Sequence, residues 1–262
     1  MSGILGCTTR PYAAIPYAEA FQRIAAAGYR DVAVFRDPSG SPVDSGSSAA
    51  AVSAVRAAAA AAGVVPSLLL GRTHLEMGLA AAVDDYRRLI DNAAALGAMR
   101  LLDCGTSRPE DYAGYLELMR RCAPHALAAG LQITMKPHGG ISLTVEDLLE
   151  AHRQVGQPGF GICFDPGNII YYTVGARRPE PDAARVAAVC NAVIIKDCVV
   201  RDGKADVMVT PGDGLVDFTA VLGGLLGQGW RGPCYVECVG SRDLPGIDRD
   251  IAFTRGYIRG IL

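Results

Sequence analysis

The stretch QITMKPHGGISLTVEDLLEAHRQVGQPGFGICFD, Gln132 to Asp165, sets the reading of the whole chain. A short apolar run, Gln132 to Lys136, ends in a polar cluster and a glycine pair. Thr144 then opens a segment of helical period that runs to Val155, and a second apolar run, Gly161 to Asp165, ends in another polar cluster. A strand that returns to a parallel neighbour through a helix has this appearance, because each buried strand is short and the crossover helix is longer.

The same alternation extends in both directions. Candidate strands are Ile4 to Thr8, Asp31 to Phe35, Val65 to Leu70, Arg100 to Asp103, Gln132 to Lys136, Gly161 to Asp165, Val193 to Asp197 and Cys234 to Glu237. Between them the predicted helices are Tyr17 to Ala27, Ser48 to Ala62, Ala80 to Leu96, Pro109 to Ala129, Thr144 to Val155, Asp182 to Cys190, Asp217 to Gly227 and Asp248 to Ile261, several opening on a capping residue or a proline. Eight such units in 262 residues predict a single-domain (β/α)8 TIM barrel of class α/β over residues 1–262. The competing open doubly wound sheet lacks its glycine-rich phosphate fingerprint after the first strand. Asp37 to Ser48, rich in Ser, Pro and Gly, reads as a long loop after the second strand.

Composition narrows the function. Half the residues are apolar and the formal charge is −2, so the chain buries a large core and has no cationic excess for nucleic acid. The start, Met1 to Cys7, has no cationic leader, and Pro66 interrupts the longest apolar stretch, so the expectation is a cytoplasmic protein without membrane partners. Eight cysteines without a CxxC pair, six of them in or beside predicted strands, read as small core residues.

Barrel chemistry sits where strands run into their following loops. Strand three leads to Arg72 and His74, strand four to Asp103, strand five to Lys136 and His138, strand six to Asp165 and Asn168, strand seven to Lys196 and Asp197, and strand eight to Glu237. Sealing so many ionisable groups at one rim is costly unless they pair, meet water or hold a ligand. His125 and His152 fall in outer helices and read as surface residues, and the Gly212-Asp213-Gly214 turn reads as a loop-shaping element. Tyr171, Tyr172 and Arg177 lie in a segment placed to form a lid or rim.

These strand ends carry a resemblance. Met135-Lys136-Pro137-His138-Gly139-Gly140, Cys163-Phe164-Asp165-Pro166-Gly167-Asn168, Ile195-Lys196-Asp197, Pro211 to Phe218 and Gly229 to Glu237, in that order, resemble the sugar phosphate isomerase/epimerase superfamily of xylose isomerase-like barrels. The resemblance implies one divalent cation held by a strand-five Glu, a strand-six Asp, a strand-seven His and a strand-eight Glu. Asp165 and Glu237 match the second and fourth. Lys136 replaces the first Glu, Ile194 falls where the His would stand, and Asn168 replaces a second His common in relatives. Two lost ligands and a fixed positive charge disfavour Mn, Mg, Co or Zn, so no cofactor is expected.

The expected arrangement places the Lys136 ammonium between Asp165 and Glu237, with Lys136, Glu237 and His138 as catalytic residues and Asp165, Asn168, Lys196, Arg72 and His74 as substrate contacts. The expected function is a sugar or keto-sugar isomerase or epimerase moving a proton beside a carbonyl. A lyase or decarboxylase on a polyhydroxy or keto acid, and a non-catalytic sugar-binding barrel, are the alternatives. The partner is a small carbohydrate or keto acid, and the resemblance implies a homodimer or homotetramer. The endonuclease IV branch of the superfamily is rejected, because it requires several zinc ligands and a cationic groove.

Overall fold

The computed structural model describes residues 4–262; Met1 to Gly3, which open the leader-free start read from sequence, lie outside the described residues. Eight parallel strands close into a barrel: β1 (Leu5–Thr8), β2 (Asp31–Val34), β3 (Val65–Leu70), β4 (Arg100–Asp103), β5 (Gln132–Met135), β6 (Phe160–Phe164), β7 (Cys190–Ile195) and β10 (Cys234–Val236). Each pairs with its neighbours in sequence, and β10 closes on β1 with Leu5 opposite Cys234. A two-stranded hairpin, β8 (Val199–Arg201) and β9 (Lys204–Asp206), stands apart from the barrel.

The helices are α1 (Tyr17–Ala26), α2 (Ala49–Ala62), α3 (Leu79–Leu96), α4 (Tyr112–Ala128), α5 (Val145–Val155), α6 (Pro166–Tyr172), α7 (Ala183–Val186), α8 (Phe218–Gly227) and α9 (Leu244–Arg259). Their starts follow local chemistry. Ser48 accepts the Ala51 N–H at α2, and Asp217 accepts the Ala220 N–H at α8. At α5, Thr144 and Asp147 exchange bonds in a reciprocal capping box. Each such cap is worth about 1 kcal/mol.

Four elements depart from the sequence reading. The helix predicted over Asp182 to Cys190 is only the single turn of α7, and Cys190 begins β7, because the small apolar residues there pack into the sheet layer. Helix α9 begins at Leu244, capped by Asp243 and opened by Pro245, ahead of the predicted Asp248. Helix α6 and the β8–β9 hairpin were not among the predicted elements.

Two apolar layers hold the barrel. The larger lies between the sheet's outer face and the helices. The smaller fills the lumen with Ala33, Phe35, Leu68, Leu102, Cys163, Ala192, Ile194 and Tyr235. The Tyr235 ring lies against Gly6, where a Cβ would come within 2.7 Å of it, and its hydroxyl hydrogen-bonds Ser67 at 2.9 Å. The lumen is therefore plugged below, and polar chemistry is confined to the rim above.

Candidate active site

Four charged residues meet at that rim. Lys136, Asp165, Lys196 and Glu237 are each the first residue after β5, β6, β7 and β10, so four adjacent strands deliver them to one level. Lys136 Nζ donates to Glu237 Oε2 at 2.8 Å and stands 3.5 Å from Asp165 Oδ2. Lys196 Nζ lies 2.6 Å from Glu237 Oε1, 3.1 Å from Asp165 Oδ2 and 3.0 Å from Asn168 Oδ1. The result is a closed ring of two ammonium groups and two carboxylates, none more than 4 % exposed.

The surrounding motifs make this ring fit. Asp165 caps α6 through Oδ1, which accepts the Asn168 N–H at 3.0 Å, and keeps Oδ2 for the lysines. Gly167 lies so close to β7 that a Cβ would sit 2.6 Å from the Lys196 carbonyl oxygen and 2.9 Å from its Cγ. Asn168 Nδ2 donates to the Pro137 carbonyl at 2.7 Å, tying the loop after β5 to the loop after β6. In that first loop Gly139 and Gly140 have φ of 78° and 55°, and a Cβ on Gly140 would meet the Thr106 carbonyl at 2.3 Å. Only glycine meets both requirements.

Charge governs protonation. Burial alone would raise the Glu237 carboxyl, but Lys136 and Lys196 overcome it and hold its pKa at about 2. For Lys136 and Lys196, burial works to lower the pKa, yet the facing carboxylates win and both are raised. Glu237, Lys136 and Lys196 are thus ionised across the neutral range. His138 is shifted the other way, lowered from 6.5 by burial and then by the two lysines, so its imidazole is neutral at pH 7.

A cavity of about 210 Å³ opens above the ring, bounded by Lys136, His138, Asn168, Lys196 and Glu237. Its remaining walls come from Arg10, Phe35, Leu70, Cys104, Tyr171, Tyr172, Val207 and Cys238. The His138 and Tyr172 rings lie 5.0 Å apart. Burial raises the Tyr172 hydroxyl to about 12 and the Cys104 thiol to about 11, so both are protonated at neutral pH. Val207 enters from the far side of the β8–β9 hairpin, which packs on α6.

The other rim residues are placed differently. Arg72 and His74 do not reach this ring. They border a separate outer cavity of about 830 Å³, and His74 Nδ1 faces Asp85 Oδ2 at 3.3 Å. The turn of the chain after β3 leads outward over α3, which accounts for the difference from the expectation that both join the other contacts. Asp103 accepts from the Gly105 N–H and from the Tyr86 and Tyr115 hydroxyls, as a loop anchor. Asp197 accepts four backbone N–H groups, from Cys198, Gly212, Gly214 and Val216, so the glycine turn shapes the loop after β7 by enclosing this carboxylate. His125 pairs with Asp91 and His152 stacks on Phe160, both on outer helices.

A model of the xylose isomerase-like TIM barrel family matches residues 21–257. The chain belongs to that family. Among solved structures, D-psicose 3-epimerase from Clostridium cellulolyticum H10 superposes with a TM-score of 0.79 at 13% identity, over 99% of each chain. A magnesium-bound family protein from Mycobacterium smegmatis gives 0.76 at 18% identity, over 99% of this chain and 98% of its own. A xylose isomerase domain protein from Planctomyces limnophilus gives 0.74 at 21% identity, over 99% and 96%. At these identities the likeness establishes the barrel. No curated protein matches the chain.

At the rim the two carboxylates already face cations of the chain itself. The space between Asp165 and Glu237 is filled by two ammonium groups, and Ile194 is packed into the lumen core. Among the described residues no three His, Cys, Asp or Glu side chains are grouped to hold a metal.

Proposed function

We propose that this family member is a keto-sugar isomerase or epimerase that moves a proton beside a carbonyl without a divalent metal, with Lys136 supplying the positive charge. One observation carries the reading: an ammonium that is buried, held charged at neutral pH by two carboxylates and bordering a cavity that a neutral imidazole also lines. Lys136 donates to the substrate carbonyl oxygen and stabilises the negative charge that develops on it as the enediolate forms. His138 accepts the proton from the adjacent carbon, because it is unprotonated at neutral pH and borders the same cavity.

The sequence reading makes Glu237 or His138 the general base, with Glu237 paired to Lys136. Glu237 has each oxygen engaged by a lysine and a pKa of about 2, so its part in this scheme is to hold both ammonium groups in position. Lys196 fixes Asp165 and Asn168, and Tyr172, which keeps its proton, stands as donor for the returning step. The electron pair moves from the broken C–H bond into the enediolate and returns to carbon on reprotonation, so the step needs no oxidant or reductant.

The test is deuterium exchange at the carbon beside the carbonyl, followed by NMR, with ketopentoses and ketohexoses in D2O and protein treated with a chelator. Exchange should persist after chelation. It should fall about a hundredfold or more in Lys136→Met and in His138→Gln, the range for loss of an oxyanion donor or a general base. Exchange that appears only with Mn, Mg, Co or Zn would overturn the lysine reading. Saturable sugar binding with no exchange would mean a sugar-binding barrel.

A further inference from the structure

The outer cavity adjoins the inner one. Leu70, Cys104 and His138 border both, so a ligand whose reacting carbon sits at His138 has open space before it across the loops after β2 and β3. Two guanidinium groups line that space, Arg36 at the end of β2 and Arg72 at the end of β3. Among the described residues neither makes an ion pair or a side-chain hydrogen bond.

The acidic groups nearby are already engaged by other partners. Asp37 accepts from Tyr17 and Ser39, and Asp44 accepts from the Gly46 N–H and the Ser47 hydroxyl. Asp85 is held by His74 and Arg88. Glu76, in a separate hollow on the other side of Arg72, forms no ion pair with it. Asp44 also borders the outer cavity and Arg10 the inner one, and the ring of two lysines and two carboxylates is formally neutral, so three guanidinium groups against one carboxylate leave the combined space with a positive excess. Guanidinium groups suit carboxylate and phosphate oxygens, which they bind in paired hydrogen bonds.

We infer that Arg36 and Arg72 form a subsite for a terminal anionic group, carboxylate or phosphate, on the end of the substrate remote from its reacting carbonyl. This inference rests on the reading of the inner cavity as the reacting site and adds the substrate class: a keto sugar bearing a distal negative charge. The Ser-rich loop between β2 and α2 forms the outer wall of this subsite, with Ser41 and Ser45 bordering it.

Calorimetric titration of the full chain with D-fructose, D-fructuronate and D-fructose 6-phosphate tests it, since these share one ketose and differ at the far end. At least one anionic ligand should bind roughly ten- to a hundredfold more tightly than fructose, the scale of a charge-assisted hydrogen bond. The preferred one identifies carboxylate or phosphate. The preference should shrink with added salt and disappear in Arg36→Gln/Arg72→Gln, while Arg121→Gln on the outer surface leaves it intact. Equal binding of all three ligands, or a preference that survives the double substitution, would overturn the subsite. The two readings fail separately. Anion preference without deuterium exchange removes the catalytic reading alone, and exchange with equal binding removes the subsite alone.

Discussion

Asp165 and Asp197 leave neighbouring strands at the same rim and are equally sealed from solvent, yet they are satisfied in different currencies. Asp197 is surrounded by four backbone N–H groups of one loop. Asp165 takes one backbone N–H, from Asn168, and turns its other oxygen, as Glu237 turns both of its own, to side-chain ammonium groups that border a cavity. Backbone donors belong to the fold and have nowhere else to turn. A lysine on a flexible stem can turn from a carboxylate to a substrate oxygen without disturbing the chain, so one carboxylate shapes a loop and the other equips a site.

The comparison can be broken most forcibly at Glu237. Glu237→Ala leaves two buried ammonium groups short of a partner and should cost about 3–5 kcal/mol in denaturant unfolding, the range for removing one side of a buried pair. A loss under about 1 kcal/mol would mean that water already shares the ring. Asp197→Ala should follow, at several kcal/mol, since unpaired buried N–H groups cost about 1–3 kcal/mol each and the loop can rehydrate only some of them. Its mark is proteolytic cutting within 198–216 ahead of global unfolding. If the loop stays resistant, the glycine turn holds itself.

Gly167→Ala tests how closely the rim is fitted. The added methyl meets the β7 backbone and the Lys196 stem, for about 1–3 kcal/mol of strain. Deuterium exchange should decline by more than stability accounts for, because Lys196 is displaced while Asp197 is not. Equal declines would dissociate α6 from the site.

The smallest effect is in pH. Glu237 is held below its ordinary value of 4.5, so its contribution is present above that pH and is lost as pH falls toward about 2. The two lysines are raised, so theirs is present below 10.5 and lost at higher pH. His138 is lowered, so the unfolded chain takes up its proton first, and stability falls slightly as pH drops through 6.5. The acid limb of the exchange rate should therefore lie below 6.5, and a limb above that value would remove His138 as the proton acceptor.

Much of this was legible in the chain because periodicity and capping are local. The eight strands fall where the apolar runs lie, and the residues ending β5, β6, β7 and β10 are the ones that meet. Two missed elements also had local signals: Asp165 before Pro166 is a helix cap followed by proline, and Asp202-Gly203 between Val199 and Asp206 is a hairpin turn, with φ of 50° and 71°. The length of α7 was misread because small apolar residues suit a helix and a buried strand equally.

The sequence by itself determined the barrel and the set of rim residues, since each is written in residue type and spacing; that Lys136 and Ile194 stand in for metal ligands is what the family resemblance implies. Only the tertiary structure decided their partners. Lys196 might equally have paired with its neighbour Asp197, but strand alternation turns adjacent side chains to opposite faces, sending Lys196 into the ring and Asp197 into the loop. Likewise Arg36 and Arg72 are 36 positions apart in sequence and became two walls of one cavity because β2 and β3 are adjacent staves. Closure of the barrel supplies such proximities, and they follow from the packing of the whole chain.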